Sequence, residues 1–193
     1  MSSAERRSVR LYLVRHAAVT VRPDLPPSQW HLSPEGRAAA KAMAEESCWA
    51  ELAVIYASPE PKAVGTAQRI AARHGLTIRL EHDLREVERR SWVEEGYREQ
   101  VRRYLAGEPV DSWEPRETAL GRVRACIDGI VAASGGQDVA AVSHGLVLTL
   151  YMTDRLALNA EASYELWQAI GFPDVAIVDA QARRVERGFG ARD

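Results

Sequence analysis

Short, unbroken apolar runs alternate along this chain with segments whose apolar residues recur every three or four positions, and few folds accept that order. The runs cover residues 10–14, 53–57, 77–80, 139–142 and 175–178. The central ones are continuous rather than alternating, as in strands covered on both faces. Between them, Ala40, Met43, Ala44 and Ser47 form one helical stripe, and Ala63, Thr66, Ala67, Ile70 and Ala71 form a second. Leu120, Val123, Ile127, Ile130 and Val131 form a third, closed by the turn SGGQD. Strand and helix in alternation predict parallel crossovers, hence a three-layer α/β/α sandwich around a mostly parallel sheet. Two helix starts, LSPEG at 32–36 and ASPEP at 57–61, each suggest a serine N-cap followed by proline, Ser33 with Pro34 and Ser58 with Pro59.

With 193 residues, of which 46% are hydrophobic and 27% charged, the chain suits one globular domain over residues 1–193. A formal net charge of -2 gives no field that would gather nucleic acid or an anionic membrane surface. Any anion must therefore be held by local groups. No apolar run reaches the roughly 20 residues that span a bilayer. The basic start of the chain is followed by only four apolar residues before Arg15, which is no signal peptide, so a cytoplasmic address is expected. Cys48 and Cys126 fall in segments read as helical and are expected as buried free thiols.

In open α/β sheets the ligand crevice lies beyond the carboxyl ends of the strands. The first strand delivers Arg15 and His16 there, the second Ser58 and Lys62, the third Glu86, and the fourth Ser143 and His144. Two histidines, two cations and a carboxylate converging on one edge suit a phosphoryl group, whose movement needs fixed positive charge and donors. A neutral imidazole is a competent nucleophile toward phosphorus, and a carboxylic acid can protonate the departing alkoxide. Each residue taken singly has an ordinary reading: a surface turn for Arg15 and His16, a core histidine for His144, helix caps for Ser58 and Ser143. Glu81 and Glu88 compete with Glu86 for the acid's role. Their grouping at strand ends favours the site.

The segments LYLVRHA, LSPEGRAAA, YASPEPKAVGTAQRIA, DLREV and VAAVSHG stand in the order found in the histidine phosphatase superfamily, which includes the phosphoglycerate mutases. The resemblance spans residues 9 to about 150. It implies that His16 is the phosphorylated nucleophile, that Arg15 and His144 belong to the phosphate pocket, and that Glu86 is the proton donor. It also implies a phosphoglycerate mutase-like fold and a reaction without metal or other cofactor, and no HExxH or CxxC spacing argues otherwise. RETALGRVR, with Glu117 and Arg124, resembles a structural helix of the family. Ala17 replaces the usual glycine, and Lys62 stands where the family's second pocket arginine is expected. Lysine keeps the charge but loses the planar two-pronged donor.

Substrate choice must come from loops. Residues 17–31 and 89–105 are the candidates, with Arg22, Trp92, Tyr97 and Arg98 as the substrate-binding residues. Val93, Tyr97, Val101, Tyr104 and Leu105 also make an apolar stripe, so part of that second stretch is a packed helix. His31 could touch substrate, His74 beside Gly75 suits a helix end, and His82 is expected at the surface. The expected activity is hydrolysis of a small phosphorylated molecule through a phosphohistidine. Mutase-type transfer, protein phosphohistidine phosphatase activity and a phosphate-binding module with little turnover are the alternatives.

Overall fold

The computed structural model describes residues 8–89, 95–182 and 184–191. Among the described residues, six strands form one sheet in the order β3-β2-β4-β1-β5-β6. They are β1 (Arg10–Arg15), β2 (Val54–Ala57), β3 (Thr77–Leu80), β4 (Val139–Ser143), β5 (Asp174–Asp179) and β6 (Val185–Arg187). Between them run α1 (Pro34–Met43), α2 (Pro61–His74), α3 (Tyr97–Leu105), α4 (Arg116–Ala133), α5 (Gly145–Leu156) and α6 (Ala160–Ala169).

The continuous apolar runs are explained by helices on both faces. Alternate side chains of β1 point to opposite sides: Leu11 and Leu13 join Val123 and Ile127 of α4 and Val147 and Leu148 of α5. Tyr12 and Val14 join Met43 at the end of α1 and Ala63, Ala67 and Ile70 of α2. The three-layer architecture follows, and α3 and α6 thicken it by packing Val101, Tyr104 and Tyr164 against Leu146 and Leu150 of α5. Only β3, at the sheet's edge, leaves most of its residues exposed.

The sheet is parallel among β1, β2, β3 and β4, while β5 runs antiparallel to β1, with Asp174 opposite Arg15. Two helices, α5 and α6, connect the end of β4 to the start of β5, and the register sets Asp174, the first residue of β5, beside Arg15, the last of β1. The start of β5 therefore joins the edge that carries the ends of the parallel strands.

Ser33 caps α1 as expected, its hydroxyl accepting the Gly36 N–H at 3.0 Å. Ser58 does not cap α2. That helix begins at Pro61 with Glu60 as its N-cap residue, because the Glu60 carbonyl takes the first helical N–H groups, from Ala63 and Val64. The Ser58 hydroxyl oxygen accepts the Glu60 N–H at 3.3 Å, ahead of the helix, and lies 2.8 Å from His144 Nε2. Ser143 is no cap either, since its hydroxyl donates to the Leu84 carbonyl at 2.6 Å. Ser47 lies beyond α1 in a short 3₁₀ turn and is exposed. Gly75 ends α2 in the left-handed conformation, φ 68°, where a side chain is disfavoured. Both cysteines are free and half-buried, and burial pushes the Cys48 thiol up to about 11 and Cys126 to about 12.

Candidate phosphoryl site

His16 follows the last residue of β1, and its backbone N–H donates to the Ser143 carbonyl at 3.0 Å, holding it beside the end of β4. Its Nδ1 lies 2.8 Å from the Ala17 carbonyl oxygen. A carbonyl only accepts, so Nδ1 carries the hydrogen and Nε2 keeps its lone pair. Burial, followed by the nearby Lys62 charge, holds the His16 imidazole well below the usual histidine range, so it is neutral at pH 7.

His144, immediately after β4, is fully buried, and its ring meets that of His16 edge-on, with centroids 5.1 Å apart. Its Nε2 lies 2.8 Å from Ser58 Oγ and 3.4 Å from Glu60 Oε1, while its Nδ1 has no hydrogen-bond partner. Burial keeps this ring neutral too.

Arg15 is anchored by its Nη1, which donates to the Ile170 carbonyl at 2.6 Å, and by the Phe172 ring stacked on the guanidinium. Burial lowers its pKa to about 10, against the pull of Glu86, Tyr97 and Asp174, so the charge persists at pH 7. Gly145 makes room for it. A Cβ at that position would sit 2.8 Å from Arg15 Cζ, so the guanidinium would have to shift from its anchored place. Lys62, on the first turn of α2, is 5% exposed; its Nζ donates to the Pro27 carbonyl at 2.7 Å and pairs with Glu60. Glu86 reaches the N-terminus of α5, where its carboxylate accepts N–H groups from Val87, Leu146 and Val147 at 3.0–3.2 Å. Arg122 clamps the loop that carries it, donating to the carbonyls of Asp83, Arg85 and Glu86.

These groups surround a cleft of about 1080 Å³, far more room than a phosphate needs. Arg15, His16, Lys62, Glu86 and Tyr97 line it as the sequence suggests, and His144 is buried against His16. Arg22 is not brought in: it is exposed and pairs with Asp24 at 2.7 Å on the surface. Arg98 also lies outside the lining, exposed on α3, because the buried face of that helix belongs to Val101, Tyr104 and Leu105. Trp92 and Val93 lie outside the described residues. His31 is exposed and away from the lining, whereas the exposed His82 lines it. Glu88 lines the cleft paired to Arg85 at 2.9 Å, and Glu81 does not line it.

Sequence reasoning missed Glu60 and Phe172. Glu60 was hidden inside what reads as a helix cap, although an acid two positions before a cleft cation is a visible signal. Phe172 precedes β5 and reaches the site only because that strand runs backwards. Among the described residues, no group of three His, Cys, Asp or Glu side chains is placed to hold a metal ion. No helix of the described residues is long and apolar enough to cross a membrane.

The structure is that of a mostly parallel α/β/α sandwich with paired histidines and cations at its strand ends. The sequence matches the histidine phosphatase superfamily (branch 1) over residues 11–181, and the chain belongs to that superfamily. It is 32% identical over 137 residues to the uncharacterized protein Rv0525 of Mycobacterium tuberculosis, covering 65% of this chain and 68% of that one. Among solved structures it resembles mycobacterial glucosyl-3-phosphoglycerate phosphatase Rv2419c, with a TM-score of 0.78, 21% identity, and 96% and 100% of the two chains covered. A phosphoserine phosphatase from Entamoeba histolytica, solved with 3-phosphoglyceric acid, gives a TM-score of 0.76 at 18% identity over 95% and 98% of the chains. At these identities the likeness establishes the phosphoglycerate mutase-like fold.

Proposed function

We propose that this chain is a phosphomonoester hydrolase that passes the phosphoryl group through His16 and needs no metal. The observation that carries the reading is the His16 ring: hydrogen-bonded at Nδ1 to Ala17, neutral, and facing a cleft with Arg15 and Lys62 beside it. In the first step the Nε2 lone pair forms a bond to phosphorus, the bond to the ester oxygen breaks, and the leaving oxygen takes a proton from Glu86. In the second, water attacks phosphorus, Glu86 takes back the proton, and the P–N bond breaks to release phosphate. Arg15 and Lys62 neutralise the charge on the transferring oxygens, and His144 supplies a donor to them.

The room in the cleft suits a small organic phosphate, in keeping with the phosphatases that share the fold. Hydrolysis of p-nitrophenyl phosphate in EDTA tests the reading. Turnover that persists in EDTA and disappears in His16→Ala supports it. Phosphate binding without turnover contradicts it and favours a binding module.

A further inference from the structure

Glu60 places a carboxylate inside a pocket built to attract anions. It is 9% exposed and lines the cleft at the start of α2. One of its oxygens, Oε2, pairs with Lys62 Nζ. The other, Oε1, accepts the Glu86 backbone N–H at 2.9 Å and lies 3.4 Å from His144 Nε2. One side chain thus touches the pocket's lysine, the second histidine and the backbone of the candidate acid. A buried negative charge at this position would oppose phosphate binding if it merely filled space.

His144 supplies the reason for it. Two oxygens, Ser58 Oγ and Glu60 Oε1, lie near its Nε2, and its Nδ1 is a fully buried polar atom without a partner. A neutral ring protonated at Nδ1 can satisfy the Ser58 side, because that hydroxyl accepts the Glu60 N–H and can donate its own hydrogen to Nε2, but it leaves Glu60 Oε1 facing a lone pair. An imidazolium donates through Nε2 toward the Glu60 carboxylate and through Nδ1 to an anion. We propose that Glu60 is a positioning residue for the phosphoryl site, the counter-ion that lets His144 bind a second proton, from solvent, when a tetrahedral anion enters. This rests on the reading of the cleft as a phosphoryl site.

The charges around His144 fit that role. Lys62 from α2, His16 and Arg15 from β1 and its end, and Arg122 from α4 all oppose a second proton on the ring, and burial opposes it most. Glu86 faces the same region from the loop before α3, but its carboxylate is held by the N-terminus of α5. Glu60 is the carboxylate in contact with the ring. An arriving anion then supplies what Glu60 alone does not, and the proton follows it.

Calorimetric titration with sulfate tests the proposal, because sulfate does not itself titrate near neutrality. Repeating it in buffers of different ionisation enthalpy counts the protons taken up on binding. The wild type is expected to take up a substantial fraction of a proton at about pH 7. Glu60→Gln and His144→Gln should each lose the same increment, the double variant no more than either, and Glu60→Asp should recover part of it. Lys62→Met should retain it or take up more, because the Lys62 charge opposes a proton on both His144 and His16.

Unchanged uptake in Glu60→Gln overturns the proposal. So does retained uptake in His144→Gln, which puts the proton on Glu60, and so does equal loss in Lys62→Met, which makes Glu60 a partner of the lysine alone. Sulfate binding with these outcomes leaves the phosphatase reading standing. Failure of sulfate to bind at any pH overturns the proposal, while the phosphatase reading is decided separately by turnover of p-nitrophenyl phosphate.

Discussion

The guanidinium carbon of Arg15 sits 3.4 Å from the centroid of the Phe172 ring, and that ring also lies 5.6 Å from the ring of His16. An apolar side chain 47% exposed to solvent thus covers one face of the pocket's arginine and borders the proposed nucleophile. The stack fixes the guanidinium plane together with the Ile170 carbonyl, so that its remaining N–H groups need no search to meet an anion.

Phe172→Ala should therefore lower kcat/KM on an aryl phosphate by roughly 2- to 30-fold, the span of a cation–π contact of 0.5 to 2 kcal/mol. Because the ring is half exposed, the unfolding midpoint should change little. Phe172→Tyr should keep most of the activity. Full activity in the alanine variant would show that Ile170 alone orients Arg15.

Glu86 accepts three backbone N–H groups, and the proposed reaction asks the same carboxyl to deliver a proton. Glu86→Gln should slow an alkyl phosphate by roughly 100-fold or more, while p-nitrophenyl phosphate, whose leaving group departs without help, should lose far less. Equal losses on both substrates would assign Glu86 to holding the start of α5 and leave Glu88 as the acid.

Most of the architecture was legible in the sequence because it rests on periodicity. The continuous runs at β1 and β4 require cover on both faces, and α2 buries the stripe from Ala63 to Ala71 that its spacing predicts. The strand-end rule then placed Arg15, His16, Lys62 and Glu86 on one cleft, with His144 beside them. The illegible part depends on direction and on competition between partners. Nothing in the run at 175–178 says that β5 is antiparallel, so neither Phe172 nor the Ile170 carbonyl could be assigned to the site. Ser58 reads as a cap because serine before proline usually is one, and only the fold shows its hydroxyl beside His144. Arg22 and Arg98 lie outside the cleft lining, and charge near a cleft in sequence does not say where a side chain pairs: Arg22 has Asp24 two residues away.

The two histidines also set how stability depends on pH. Both are held neutral in the folded protein, below the usual value of 6.5, and both can protonate freely once unfolded. The unfolded chain therefore binds more protons as pH falls through about 6.5, and stability declines in that direction by up to about 1.4 kcal/mol per pH unit for each ring. Their contribution is fully present above that pH and is lost below it. Denaturant midpoints measured between about pH 7.5 and pH 5 should fall less steeply in His144→Gln than in the wild type. Parallel slopes would show that the buried ring is protonated in the folded state as well.

The central claim is that His16 carries the phosphoryl group, and trapping that group tests it most directly. The enzyme is mixed briefly with a radiolabelled phosphoryl donor, quenched in base, and digested to locate the label. A phosphoramidate on His16 is predicted, stable to base, lost in acid, and absent from His16→Ala. Label that survives acid, label that persists in His16→Ala, or turnover in that variant would contradict the account.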